Sequence, residues 1–193
     1  VLEHAGFTVT GTLARVRMGS GQLRPTTHAA LVVHTDDGDP WLADVGFGGK
    51  AGLLEPVRLA DGNESAQDGW RFRVDLTADG SWILSIADGD DWLDVYSFTT
   101  QPSYPADFDI ANYSASTSDR SPFTGRLIAQ LTGKRTRATL LDTELTVTHA
   151  DGGDEVTDYE AAELPRLLTE RFGIALSENE LTEITRTVSG YAR

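Results

Sequence analysis

The sequence predicts an α+β fold, an antiparallel sheet followed by a mixed region of strands and helices. Three observations predict it. From Phe7 to about Phe98, apolar residues recur with period two and are punctuated by Gly- and Asp-rich turns. After "QPSYP" (101–105) the texture shifts to alternating helical and strand stretches. Near the C-terminus, one helical stretch closes on Gly173 and another opens on Ser177 with Glu180 three residues later, a capping box. With 193 residues, 39% of them hydrophobic, the chain can bury a substantial core.

The elements follow in order. "VLEHAGF" reads as the last turns of a helix, with Leu2 and Ala5 on a buried face and Gly6 as terminator. The chain starts at Val1, without a methionine, so the expectation is a sequence whose beginning is cut. "FTVTGTLARVRM" alternates as a strand, with an irregularity expected near Gly11. "HAALVVHT" and "WLADVGF" flank "DDGDP", a turn by composition. "LADGNESAQDG" (59–69) reads as a loop. "WRFRVDL" places Trp70, Phe72, Val74 and Leu76 on one face. "TADGS" turns the chain into "WILSIA", and "DGDD" turns it into "WLDVYSFTT". The result is an antiparallel meander, either an open sheet or a small barrel.

Beyond it, "PADFDIANYSAS" predicts a short helix with Phe108, Ala111 and Tyr113 partly buried. "SPFTGRLIAQL" and "RATLLDTELTVTHADGGDEVTDY" read as strands, with a hairpin at "ADGGD". "EAAELPRLLTERFG" is a helix in which Pro165 marks either the first turn or a bend.

Composition narrows the function. The formal net charge is −14, a field that repels phosphate backbones, so nucleic acid is not the expected partner. No apolar run approaches a membrane span and no signal peptide opens the chain. There is no cysteine, hence no disulfide framework, no thiolate metal site and no cysteine nucleophile among these residues. The four histidines show neither H-x-x-x-H nor H-E-x-x-H spacing, and no metal is expected. His4 and His149 have no context that singles them out, and His34 reads as solvated beside its turn.

Asp44 stands out. It lies in "PWLADVGFGG", a run that otherwise reads as buried strand leading into a glycine-rich loop. A buried carboxylate needs a partner. His28 begins the preceding strand. If the strands pair across "DDGDP" in a register that puts both side chains on one face, the carboxylate accepts a hydrogen bond from the imidazole and orients it. Such a pair is either a structural contact or the orienting half of a nucleophile–base–carboxylate triad.

The stretches "THAALVV" and "WLADVGFGG" closely resemble paired motifs of the arylamine N-acetyltransferase family. "YSFTTQPSYPADFDIANYSAST", "SDRSPFTGRLIAQ" and "ELTVTHADGG" resemble its later segments in the same order, so the resemblance covers essentially the whole chain. It implies a fold with a helical first domain, an antiparallel β-barrel and an α/β lid, related to cysteine proteases and transglutaminases. On that plan residues 1–6 end the helix that carries the nucleophile, 7–102 form the barrel and 103–193 the lid with its C-terminal helix, the helical first domain being absent. It implies a Cys-His-Asp triad in which His28 and Asp44 are the catalytic histidine and aspartate. The family's R-G-G-x-C motif has no match in this sequence.

The resemblance further implies ping-pong transfer of an acetyl group from acetyl-CoA, a co-substrate and not a bound cofactor, to arylamines, arylhydroxylamines or hydrazines, as in xenobiotic metabolism in the cytoplasm. It places Thr27, Gly46, Phe47, Gly48 and Gly49 against CoA, and Phe47 and Phe123 around the acyl and amine groups. Read from the residues alone, both phenylalanines are core and the glycines merely turn the chain. Two other readings remain open: an amide synthase that releases polyketides as macrolactams on the same fold, and an inactive truncated or cysteine-free homologue. Without its cysteine, the chain by itself is expected to be inactive. Arg120, Arg126, Lys134, Arg135 and Arg137 fall in one window with only Asp119 beside them. They either meet CoA phosphates or keep a strand edge soluble.

Overall fold

The computed structural model describes residues 1–191. They form two compact units. The first comprises Val1–Phe47 and Ala51–Ser114, and the second comprises Gly48–Lys50 and the chain from Ala115 onward.

Eight strands build the first unit: β1 (Thr8–Val16), β2 (Thr26–His34), β3 (Pro40–Ala43), β4 (Val57–Arg58), β5 (Asn63–Gln67), β6 (Trp70–Leu76), β7 (Trp82–Asp88) and β8 (Asp91–Phe98). Every pairing is antiparallel, and the order is β4-β3-β2-β1-β8-β7-β6-β5. Two meanders therefore join through β1 and β8. The edge strands β4 and β5 are neighbours in the chain, so the sheet curls towards a nearly closed barrel. Buried Gln67 helps close it. Its Oε1 accepts the N–H groups of Leu54 and Glu55 at 2.8 and 3.1 Å, and its Nε2 donates to the Glu55 carbonyl at 2.9 Å. A side-chain amide thus supplies bonds resembling a ladder that the edges do not make.

The period-two pattern produces the core. Phe72 faces Ile86 and Val74 faces Leu84 across β6 and β7, all four buried. Each such side chain contributes about 1.5–3 kcal/mol on burial.

The structure departs from the sequence reading at several places. "VLEHAGF" forms one 3-10 turn, Glu3–Ala5, closed by Gly6 at φ 94°, and Ala5 is exposed. Gly11 sits in regular register opposite Leu31; a Cβ there would lie 3.2 Å from the Phe108 ring, so close approach and not a bulge calls for glycine. The bulge falls instead between Ala14 and Arg15. Residues 63–67 of the expected loop are β5, an edge strand whose polar outward positions imitate a loop. Leu76, at the end of its strand, is exposed.

Helix α1 (Pro105–Thr117) has Phe108 half-buried and Ala111 buried, whereas Tyr113 faces outward. The second unit contains β9 (Ile128–Thr132), β10 (Thr136–Leu141), β11 (Glu144–His149) and β12 (Asp154–Asp158), in the order β12-β11-β10-β9. Residues 121–125 are turns and not strand. One face of this sheet, with Ala129, Ala138, Leu140, Leu145 and Val147, packs with Leu164, Leu167 and Leu168 of α2 (Leu164–Phe172) and Val188 of α3 (Glu178–Tyr191). Pro165 occupies the first turn of α2, and Gly173 caps it at φ 67°. Ser177 and Glu180 close the capping box of α3, with the Ser177 N–H donating to Glu180 Oε2 at 2.8 Å. Among the described residues, no helix is long and apolar enough to cross a membrane.

Candidate active site

The register decides whether His28 and Asp44 can meet. Leu31 pairs with Ala43 and Val32 with Leu42. Continued by one step, this register opposes Asp44 to Ala30, two residues from His28. Alternation then puts His28 and Asp44 on one face, diagonal to each other. In the structure His28 Nε2 lies 2.6 Å from Asp44 Oδ2. Thr27 is the extra residue at the bulge, since β1 pairs Arg15 with Thr26 and Ala14 with His28. A bulge re-aims the side chain that follows it, and here that side chain is His28.

Four donors converge on the Asp44 carboxylate. Oδ2 accepts from His28 Nε2 and from the Tyr96 hydroxyl at 2.8 Å. Oδ1 accepts the N–H groups of Gly46 at 2.9 Å and Phe47 at 3.1 Å. The Asp44 side chain has no exposed surface, and that of His28 is 12% exposed. Burial pushes the Asp44 pKa up, but the hydrogen bond and charge of His28, with the bonds from Tyr96 and Gly46, outweigh it and hold the group below its ordinary 3.8. The Tyr96 hydroxyl is pushed well above its ordinary range by burial and by the neighbouring carboxylate, so it stays a donor.

Aromatic rings surround the pair. Phe47 meets His28 edge-on with centroids 5.0 Å apart, and Tyr96 lies 5.0 Å from His28 and 5.3 Å from Phe47. Ala14, opposite His28 on β1, is fully buried. The outcome is an imidazole with Nε2 committed to a carboxylate. In the neutral ring this makes Nε2 the N–H and leaves Nδ1 as the basic nitrogen.

Tyr96 was not singled out by the sequence reading. β8 carries a bulge where Leu84 pairs with Tyr96 but Ser85 with Asp94, so Val95 and Tyr96 are consecutive and both buried. That break hides Tyr96 from a strict period-two reading; the alternation of Tyr96 with Phe98 was the available signal.

The glycine loop divides. Gly46 donates to Asp44, while Gly49 has φ 63° and needs its glycine. A Cβ on Gly48 would fall 1.5 Å from Gln130 Oε1, so this glycine makes room for a side chain of the second unit, to which Gly48 belongs. Phe123 is also in the second unit, on a turn, with 64% of its surface exposed. The basic window is not one open patch: Arg126 pairs with Asp142, Arg135 with Asp151, and Arg137 is buried. Both acids lie in turns beyond the linear window. His149, expected to lack an acidic neighbour, lies 3.1 Å from Glu155 across the β11–β12 hairpin. Among the described residues no cluster could hold a metal ion.

The profile of a family described as N-acetyltransferase matches residues 1–181. The arylamine N-acetyltransferase of Mycobacterium abscessus superposes over 97% of this chain and 68% of its own, with a TM-score of 0.90 and 33% identity. The chain belongs to the arylamine N-acetyltransferase family. The arylamine N-acetyltransferase of Mycobacterium tuberculosis strain H37Rv is 32% identical over 182 residues, 92% of this chain. The chain spans 64% of that relative's length. The Mycobacterium marinum arylamine N-acetyltransferase, solved in complex with CoA, superposes with a TM-score of 0.85 at 25% identity, over 98% of this chain and 70% of its own. The sequence thus falls in the family whose motifs it resembles, and the barrel-plus-α/β fold matches that of its members.

Proposed function

We propose that this arylamine N-acetyltransferase homologue contributes the base and its orienting carboxylate to acetyl transfer from acetyl-CoA to an arylamine, arylhydroxylamine or hydrazine. The observation that carries the proposal is the His28–Asp44 pair, with the carboxylate saturated by four donors and an aromatic shell around the ring. The CoA complex of the M. marinum relative supports the donor, and the relatives' names support the acceptor.

The chemistry runs in two halves. His28 Nδ1 takes the proton of a thiol, and Asp44 offsets the charge the ring gains. The thiolate attacks the acetyl carbonyl carbon, the bond from that carbon to the CoA sulfur breaks, and CoA leaves as a thiol with the proton from His28. The amine then attacks the enzyme thioester. It loses a proton to His28, the thioester bond breaks, and the proton returns to the thiolate. Asp44 keeps Nε2 as the N–H throughout, so that Nδ1 is always the exchanging nitrogen. Thr27, Gly46, Phe47, Gly48 and Gly49 face CoA in this reading, Phe47 lies beside the acyl and amine groups, no permanently bound cofactor is required, and the setting is cytoplasmic.

The reaction needs a thiol, and none of the 193 residues is a cysteine. The test is mass spectrometry of the full gene product mixed with acetyl-CoA. An acetyl-enzyme that forms without acceptor and is discharged by an arylamine supports the reading. Transfer without a covalent intermediate, or no transfer by that protein, contradicts it. The 193-residue chain alone is expected to form no adduct.

A further inference from the structure

Arg137 is 2% exposed, at the centre of the second sheet, where β10 pairs it with Thr132 on β9 and Thr148 on β11. A guanidinium there is expensive, since an apolar side chain would fill the volume without the desolvation cost. Burial lowers its pKa to about 10, which still leaves it charged at neutral pH. Its Nη1 donates to the backbone carbonyl of Lys50, the residue that follows Gly48 and Gly49.

A second contact supports the same role. Gln130 pairs with Thr139, two residues from Arg137, so alternation puts Gln130 and Arg137 on one face of the sheet, opposite the apolar core. The Gln130 amide occupies the space that a Gly48 side chain would need, and its Nε2 would lie 3.6 Å from a Cβ on Gly49. Arg137 thus holds Lys50 by a hydrogen bond while Gln130 of the same sheet face sits beside Gly48, and residues Gly48–Lys50 belong to the second unit although the chain on either side belongs to the first. Asp44 fixes only the N–H groups of Gly46 and Phe47.

We propose that Arg137, aided by Gln130, is a positioning residue that fixes the Gly48–Lys50 backbone for the acyl donor. The inference rests on the acetyl-transfer reading for the identity of the donor; the clamp itself rests on geometry. An arginine suits the task because its planar fork fixes direction as well as distance, which a lysine cannot do.

The experiment uses Arg137→Met and Arg137→Lys in the full gene product. Amide hydrogen exchange over residues 46–52 should rise about tenfold in the Met variant and less in the Lys variant, while β6 and β7 keep their protection. The KM for acetyl-CoA should rise about tenfold, with kcat within about threefold and its pH profile unmoved. Unchanged exchange over 46–52 overturns the clamp. Faster exchange with an unaltered KM overturns its link to the donor. If the Met variant unfolds throughout, the Lys variant decides by the same readings. A wild-type protein that forms no acetyl-enzyme sinks the acetyl-transfer reading and with it the link to the donor, and exchange alone then decides the clamp.

Discussion

His28 meets Asp44 at 2.6 Å in the first unit, and His149 meets Glu155 at 3.1 Å in the second. Both are a histidine beside a carboxylate where two antiparallel strands run side by side, Asp44 lying one residue past the end of β3. Their surroundings separate them. The side chains of the first pair are 12% and 0% exposed, those of the second 33% and 74%. Asp44 receives three further hydrogen bonds, and its histidine is enclosed by two rings. The second pair stands in high dielectric, where Coulomb attraction is weak and water competes for every donor. A buried, fully bonded carboxylate can hold one tautomer and one ring orientation. An exposed one cannot, so only the first pair can serve as an oriented base.

The largest effect that should separate the pairs is removal of the carboxylate. Asp44→Ala leaves Tyr96 and two N–H groups without their acceptor, and should cost about 3–5 kcal/mol in denaturant unfolding. Glu155→Ala should stay within about 0.5 kcal/mol. Comparable losses would erase the distinction.

Acid sharpens the contrast. The Asp44 pKa is depressed below 3.8 in the fold, so its ionised form contributes stability that is fully present above the unfolded value and is lost as pH falls through the folded one. Asp44→Asn should therefore flatten the loss of stability below about pH 4, measured by unfolding at several pH values. An unaltered acid limb would mean that the carboxylate is not held as described.

Tyr96→Phe removes one bond to Asp44 Oδ2 and retains the ring. It should cost about 1–2 kcal/mol and leave the His28 contact in place, read by unfolding and by the imidazole proton resonances. The smallest effect is expected at His149→Ala, within about 0.5 kcal/mol in unfolding.

Much of this contrast could be read in the sequence. The period-two run gave the strands of the barrel because its core residues Phe72, Val74, Leu84 and Ile86 obey alternation. Asp44 was visible because a carboxylate in an apolar run requires a partner, and His28 was the partner in reach. The parity of the register was not visible, because a loop such as Thr35–Asp39 sets it through backbone geometry. Strand β5 was hidden because an edge strand with a polar outer face has the composition of a loop. The re-aimed His28 depends on a bulge that alternation cannot reveal, and Tyr96 follows alternation with Phe98 but not with Asp94 across its own bulge. The glycines of "GFGG" looked equivalent, yet Gly46 serves Asp44 while Gly48 makes room for Gln130. Contacts between residues far apart in sequence, such as Arg137 with Lys50, leave no local signal at all.

The most direct test of the central claim is single-turnover consumption of acetyl-CoA by the full gene product carrying His28→Ala, with His149→Ala beside it. The account predicts a loss of roughly a thousandfold for His28→Ala and a rate within about twofold of wild type for His149→Ala. A His28→Ala protein that still acetylates at nearly the wild-type rate, or equal losses in both variants, would contradict it.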